Sequence, residues 1–284
     1  MEFEQRFASE EACLDYIFKL RWPDGFRCPR CQNDGAWLTA RKLYHCTYCG
    51  YETSVTAGTI FQDTRKPLQL WFRAMWYMVS QKNGVSAAGL QRVLGFQRYE
   101  TIWIWLHKIR AAMVRPGRDR LSGTVEVDET YIGGERPGKR GRGASGKSLV
   151  LVAVEDKADH IGRIRLRRIP DASAASLIPA VHESVEHGSV IRTDGWSSYG
   201  RLTSEGYAHI IARKSAKLGE NPLPLVGRVT ALLKTWLQGT HQGAVLASHL
   251  DFYLDEYTFR FNRRTSLSRG KLFFRLVQQA VSIT

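Results

Sequence analysis

Four cysteines, Cys28, Cys31, Cys46 and Cys49, constrain this chain more than any other feature. They form two CxxC pairs, CPRC and CTYC, fourteen residues apart, with Gly50 directly after the second. At this spacing each pair can sit on a tight knuckle, and the four thiolates close a tetrahedron around Zn²⁺. A redox CxxC or unrelated buried thiols are the alternatives, and the joint presence of both pairs favours structural zinc. Such a domain folds around its metal, and zinc-held thiolates suit a reducing cytoplasm. Cys13 lies outside the pattern and is expected to pack as a small apolar side chain.

The chain has 284 residues, enough for two or three compact units. Its 41 Lys+Arg against 27 Asp+Glu give a net charge of +14. A globular protein this basic usually has a polyanionic partner, with nucleic acid first among the candidates and a merely solvated basic surface as the bland alternative. The opening MEFEQRFASEEAC is acidic and has no apolar core of a signal peptide. The longest apolar run, Leu149 to Val154, is far too short to cross a bilayer. A cytoplasmic protein without membrane attachment is expected.

Three segments differ in texture. Residues 1–60 hold the cysteines, with Trp37, Arg41, Lys42, Tyr44 and His45 interleaved. Residues 61–118 read as helical. Leu68 to Gln81 is apolar and Trp-rich, Ser86 is a candidate N-cap, and Gly95 is a candidate stop. In the next helix Ile102, Leu106, Ile109 and Met113 keep helical spacing, which leaves Arg98, His107, Lys108 and Arg110 to solvent. Two helices around a glycine turn with a basic face suggest a DNA-reading helix-turn-helix; a three-helix unit without a DNA role fits the same pattern.

Residues 119–284 change period. TVEVDETYI alternates, SLVLVAVE reads as a buried strand, and GRIRLRRI sets Arg163, Arg165 and Arg167 along one strand face. A helix restarted or kinked at Pro179 and stopped by Gly188 follows, then the strand SVIRT, then LVGRVTALLKTWL and an aromatic helical tail. This order predicts an α/β domain with a mixed sheet. Between the first two strands Arg136, Lys139, Arg140, Arg142 and Lys147 lie in a Gly-rich basic loop, suited to DNA phosphates. Gly141 to Ser148 also spells the phosphate-loop pattern GxxxxGK[ST]. That motif needs a strand before it and a helix after it, and here coil precedes and a strand follows.

Asp128 sits mid-strand on the face opposite Val125 and Val127, flanked by Glu126 and Glu129, and Asp194 ends a later strand before Gly195. If those strands are neighbours, the two carboxylates meet at one sheet edge, as hard divalent cations require. Two such ions can serve an in-line phosphoryl displacement. Ordinary strand-end aspartates are the alternative.

Together, CPRC/CTYC, the Trp-rich helix, VEVDETYIGG, VIRTDGWSSY, LLKTWLQGTH and YLDEYTFRFNRR resemble a zinc-ribbon insertion-sequence transposase of the DDE type, in its ISXO-like branch, over residues 10–270. The resemblance implies an RNase H-like catalytic core behind a zinc ribbon and a helix-turn-helix. It implies Mg²⁺ or Mn²⁺ at Asp128 and Asp194, and a DNA-contacting role for Lys234. It further implies double-stranded DNA partners (element ends and target) and self-association in a synaptic complex. The third catalytic position, seven residues before Lys234, is Gly227, which has no side chain. A catalytically impaired, transposase-derived DNA-binding protein is therefore the alternative function.

Overall fold

The computed structural model describes residues 2–115, 117–133, 147–212, 221–243 and 245–282. They form two compact units: one runs up to residue 115 and resumes at residue 266, and the other lies between.

In the first unit, α1 (Glu2–Arg6) and α2 (Glu10–Arg21) precede an antiparallel sheet of β1 (Ala36–Leu38), β2 (Tyr44–Cys46) and β3 (Glu52–Thr53). Ser9 opens α2 by accepting the Ala12 N–H at 3.1 Å. Strands this short bury little, so aromatic rings supply the missing core. Phe18, Trp22, Phe26 and Tyr44 pack with centroids 4.9 to 5.5 Å apart and fasten α2 to β2. Cys13 is fully buried and burial pushes its thiol up to about 12, consistent with a small apolar packing role.

The helices α3 (Leu68–Ser80), α4 (Ala87–Leu94) and α5 (Tyr99–Ala111) follow. The Ser86 hydroxyl accepts the Gly89 N–H at 3.1 Å, and Gly95 closes α4 in the left-handed region at φ 69°. Trp105 of α5 stacks on Trp71 of α3 at 3.9 Å. The last helix of the chain, α9 (Arg269–Ala280), belongs to this unit: Phe273 packs among Phe3, Phe7 and Phe72, and the Ile60 N–H donates to the Ala280 carbonyl at 3.2 Å.

The second unit is built on a five-stranded mixed sheet of β4 (Thr124–Ile132), β5 (Ser148–Asp156), β6 (Ile161–Ile169), β7 (Val190–Thr193) and β8 (Ala208–Ile211). The strand order is β6-β5-β4-β7-β8. The first three strands pair antiparallel, and β4, β7 and β8 run parallel. The mixed-sheet α/β core expected from the sequence is present.

Alternation divides the sheet into two faces. Val125, Val127, Leu151 and Ala153 face α6 (Ala174–Ser184), while Val150, Val152, Ile164 and Leu166 face α7 (Pro224–His241) and α8 (Leu250–Phe261). Of the expected restart or kink at Pro179, the restart does not occur. The helix continues through Pro179 at the sixth of eleven positions, giving up one backbone bond while Leu177, Ile178 and Val181 stay buried against the sheet. It ends at Ser184, four residues before Gly188. Ser148 opens β5, so the phosphate-loop letters lead into a strand and lack the helix that motif requires.

Candidate active site and zinc centre

The four cysteines of the two knuckles converge. Their Sγ atoms all lie within 4.8 Å of one another, with Cys28 and Cys49 at 3.7 Å and Cys31 and Cys46 at 3.6 Å. A tetrahedron with Zn–S bonds of about 2.3 Å has edges of about 3.8 Å, whereas a disulfide would need about 2.05 Å. The Gln32 N–H donates to the Cys28 carbonyl and the Gly50 N–H to the Cys46 carbonyl, closing the knuckles with Gln32 and Gly50 at positive φ. Burial opposes ionisation of Cys28, but N–H groups of Cys31 and Arg30 outweigh it and bring the thiol down to about 6. The donor set is four soft thiolates in a closed site, which fits structural zinc.

Asp128 lies midway along β4, and Asp194 directly follows β7, the strand paired with it. β4 and β7 pair in parallel register, Thr124 with Val190 and Glu126 with Arg192. The same offset, if carried two residues further, would bring Asp128 level with Asp194, just past the end of β7. Asp128 Oδ1 accepts the Glu129 N–H at 2.8 Å, and Asp194 Oδ1 accepts the Trp196 N–H at 2.9 Å. The second bond closes a turn at Gly195, φ 81°, where an added Cβ would lie 2.5 Å from Ile211 Cγ2. Only glycine fits there. Nearby, the buried Tyr199 hydroxyl donates to Glu129 Oε2 at 2.9 Å. Burial, then the fields of Glu129, Asp128 and Asp194, push that phenol well above its ordinary range.

A residue without an obvious sequence signal organises this region. Glu126, fully buried and two residues before Asp128 on the same strand face, accepts the Leu225 and Val226 N–H groups at 2.9 and 3.0 Å through one oxygen, Oε2. The residue preceding α7, Leu223, has no capping side chain, so Glu126 caps the helix from across the fold. Burial raises its carboxyl, opposed by those two N–H groups and by Arg192. Pinned there, α7 runs along β4 until Lys234 joins Tyr131, Gly133, Lys147 and Gln238 around a cleft of about 430 Å³. Partial burial, then the charge of Lys147, hold the Lys234 ammonium below its usual range. Gly227 and Lys234 lie two turns apart on α7. A Cβ at Gly227 would fall 2.2 Å from Asn221 Nδ2, and Asn221 Oδ1 accepts the Leu223 N–H at 3.0 Å. The Asn221 amide therefore fills the space in which a side chain at position 227 would begin.

The residues expected to contact DNA are placed differently from one another. Arg98 and Lys108 are exposed on the α5 side of the first unit. Arg110 is 2% exposed and His107 is also buried, so neither is available to solvent as the helical spacing suggested. The buried arc of α5 includes Trp105, Leu106 and Ile109 and is wider than one apolar stripe. The expectation of a free basic face on β6 is also corrected. Arg163 is bound to the buried Glu155 at 2.6 Å. Arg165 is buried and donates to the carbonyls of Asp119 and Ile164, and desolvation lowers it to about 10. Arg167 is half exposed and pairs with Glu183. Lys147 lies at the cleft, and Arg136, Lys139, Arg140 and Arg142 fall outside the described residues. Among the described residues no helix is long and apolar enough to cross a membrane.

Comparison with known proteins identifies the family. Residues 8–52 match a transposase zinc-ribbon domain, and residues 120–262 match the ISXO2-like transposase domain. A protein of Halobacterium salinarum, named for its place in transposable element ISH50, is 25% identical over 141 residues, 48% of this chain and 45% of that protein. A transposase-like protein of Haemophilus influenzae is 27% identical over 112 residues, 39% of this chain and 89% of that protein. The chain thus spans under half the length of the first of these relatives. With half of its residues matched by one domain family and its cysteines by the companion ribbon, the chain belongs to the ISXO2-like transposase family.

Proposed function

We propose that this protein binds the ends of an insertion sequence and cuts and joins double-stranded DNA, using Asp128 and Asp194 in an RNase H-like core. The observation that supports the reading is the parallel register of β4 and β7, which, continued by two residues, would bring Asp128, midway along β4, level with Asp194, just past the end of β7. Two neighbouring carboxylates fit a hard cation such as Mg²⁺ or Mn²⁺, which keeps several of its waters. When bound, such ions activate the attacking oxygen and stabilise the leaving one. Asp128 and Asp194 would hold them, oriented by the N–H groups of Glu129 and Trp196. Lys234 would contact a phosphate beside the site, and Lys147 would add positive charge to the same cleft. Arg98 and Lys108 would contact DNA from the helical region, whose α4 and α5 we assign as a helix-turn-helix, and self-association would bring two ends together.

One observation favours the second reading, a catalytically impaired DNA-binding protein. Position 227 offers no ligand, and Asn221 occupies its place. A joining assay with labelled element ends and a target plasmid separates the two readings. Joined product that disappears on Asp194→Ala supports the enzyme, whereas end-specific binding without any product supports the impaired form. Binding should weaken steeply between about 50 and 200 mM salt, since phosphate contacts release counterions.

A further inference from the structure

At the opposite end of β7 from Asp194, three segments bring together a second group of metal-ligating side chains. His182 stands in the last turn of α6, His187 in the turn that leads into β7, and Glu205 and Tyr207 in the segment before β8. Backbone bonds hold these segments together: Gly188 N–H to the Gly206 carbonyl at 3.0 Å, and Ala208 N–H to the Ser189 carbonyl at 3.1 Å. His182 Nδ1 lies 3.2 Å from His187 Nε2 and 3.4 Å from the Tyr207 hydroxyl, and His182 Nε2 lies 3.2 Å from Glu205 Oε2.

Proton bookkeeping at these atoms is restrictive. The Glu205 carboxylate accepts only, so neutral His182 carries its hydrogen on Nε2 and presents a lone pair at Nδ1. The Tyr207 hydroxyl has the Val185 carbonyl as acceptor at 3.1 Å and donates there, so it too presents a lone pair toward Nδ1. The two lone pairs, at His182 Nδ1 and on the Tyr207 oxygen, therefore lie 3.4 Å apart, with His187 Nε2 3.2 Å from the first. A neutral His187 with its hydrogen on Nε2 satisfies the His182 lone pair alone, whereas a metal ion uses it together with the Tyr207 oxygen. For bonds of about 2.0–2.1 Å, the edge of a tetrahedron is about 3.3–3.4 Å. The spacings of 3.2 and 3.4 Å match it. A carboxylate on the remote nitrogen of a histidine is also the arrangement that orients metal-bound imidazoles.

We propose that His182 Nδ1 and His187 Nε2 form a binding site for a borderline divalent ion, Zn²⁺ in the first instance. Glu205 orients His182, and the Tyr207 oxygen lies alongside the ion. Imidazole donors suit Zn²⁺, Ni²⁺ and Cu²⁺ rather than Mg²⁺. The ion would link the last turn of α6 to the turn before β7, with Tyr207 of the segment before β8 beside it.

The test titrates Zn²⁺ by calorimetry into the full chain with its cysteine site already loaded, together with metal analysis and melting curves. The expected result is one further equivalent bound and a higher melting temperature. His187→Ala, at an exposed position, removes that equivalent and leaves the cysteine-bound zinc in place. Glu205→Gln weakens the site about tenfold. No further equivalent in the unmodified chain, or one that survives both His187→Ala and His182→Ala, overturns the proposal. Because melting of the unloaded His187→Ala chain is read alongside, a folding defect is distinguishable from loss of the site.

Discussion

Replacing Glu126 by alanine is predicted to loosen α7 from the sheet. In the native chain, Oε2 of this buried carboxylate accepts both the Leu225 and the Val226 N–H. Alanine leaves two N–H groups in the first turn without an acceptor, at about 1–3 kcal/mol each. Removing a buried charge returns part of that. The net loss should be about 2–4 kcal/mol, a fall in melting temperature of roughly 5–15 °C. Glu126→Gln retains a carbonyl oxygen at the Oε2 position and gives up chiefly the Arg192 attraction at 3.8 Å, so it should cost about 1 kcal/mol or less. Hydrogen exchange followed residue by residue, with thermal unfolding, is the assay. Faster exchange at Leu225 and Val226 is expected in the alanine variant and not in the glutamine variant. If the alanine variant melts within a degree of the unmodified chain, or glutamine is as damaging as alanine, the capping argument is wrong.

Cys46→Ser should abolish zinc binding at the ribbon and unfold it, checked by metal analysis and near-ultraviolet circular dichroism; full zinc content would refute the four-thiolate site. Asp255, raised to about 6 first by burial and then by Asp251, should contribute stability below its unfolded pKa that is lost as pH rises through about 6. Asp255→Asn should then stabilise the protein by about 2–3 kcal/mol at pH 7.5 and by almost nothing at pH 3.5, read from denaturant unfolding at the two pH values. Gly227→Glu should raise metal-dependent cleavage only where Asn221 withdraws, so adding Asn221→Ala should increase the gain; a double variant no better than the single one counts against that crowding.

Local chemistry was legible in the sequence, and long-range chemistry was not. The cysteine pairs could be read because the spacing within each knuckle is itself the ligand geometry. The alternation in TVEVDETYI placed Asp128 opposite the valines, because side-chain direction in a strand is set by its nearest neighbours. The same alternation put Glu126 on the Asp128 face, but nothing nearby could show that its partners are N–H groups at Leu225 and Val226. Arg110 and Arg165 looked like surface cations because charge usually faces water. Here α5 is buried over more than one stripe, and carbonyls of Asp119 and Ile164 receive Arg165. β8 escaped notice because AHII is a four-residue edge strand with Ile210 and Ile211 half exposed, too short to show a period. The return of α9 to the first unit is a tertiary choice that its helical pattern does not encode.

The central claim is that Asp128 and Asp194 are the chemical heart of this protein, and the most direct test is strand cleavage of element-end DNA in Mg²⁺ or Mn²⁺ by the unmodified chain and by Asp128→Asn. The account predicts weak, metal-dependent cleavage that Asp128→Asn eliminates while end binding and melting temperature are retained, because the substitution removes a metal ligand and no phosphate contact. Cleavage by Asp128→Asn at the rate of the unmodified chain would contradict it.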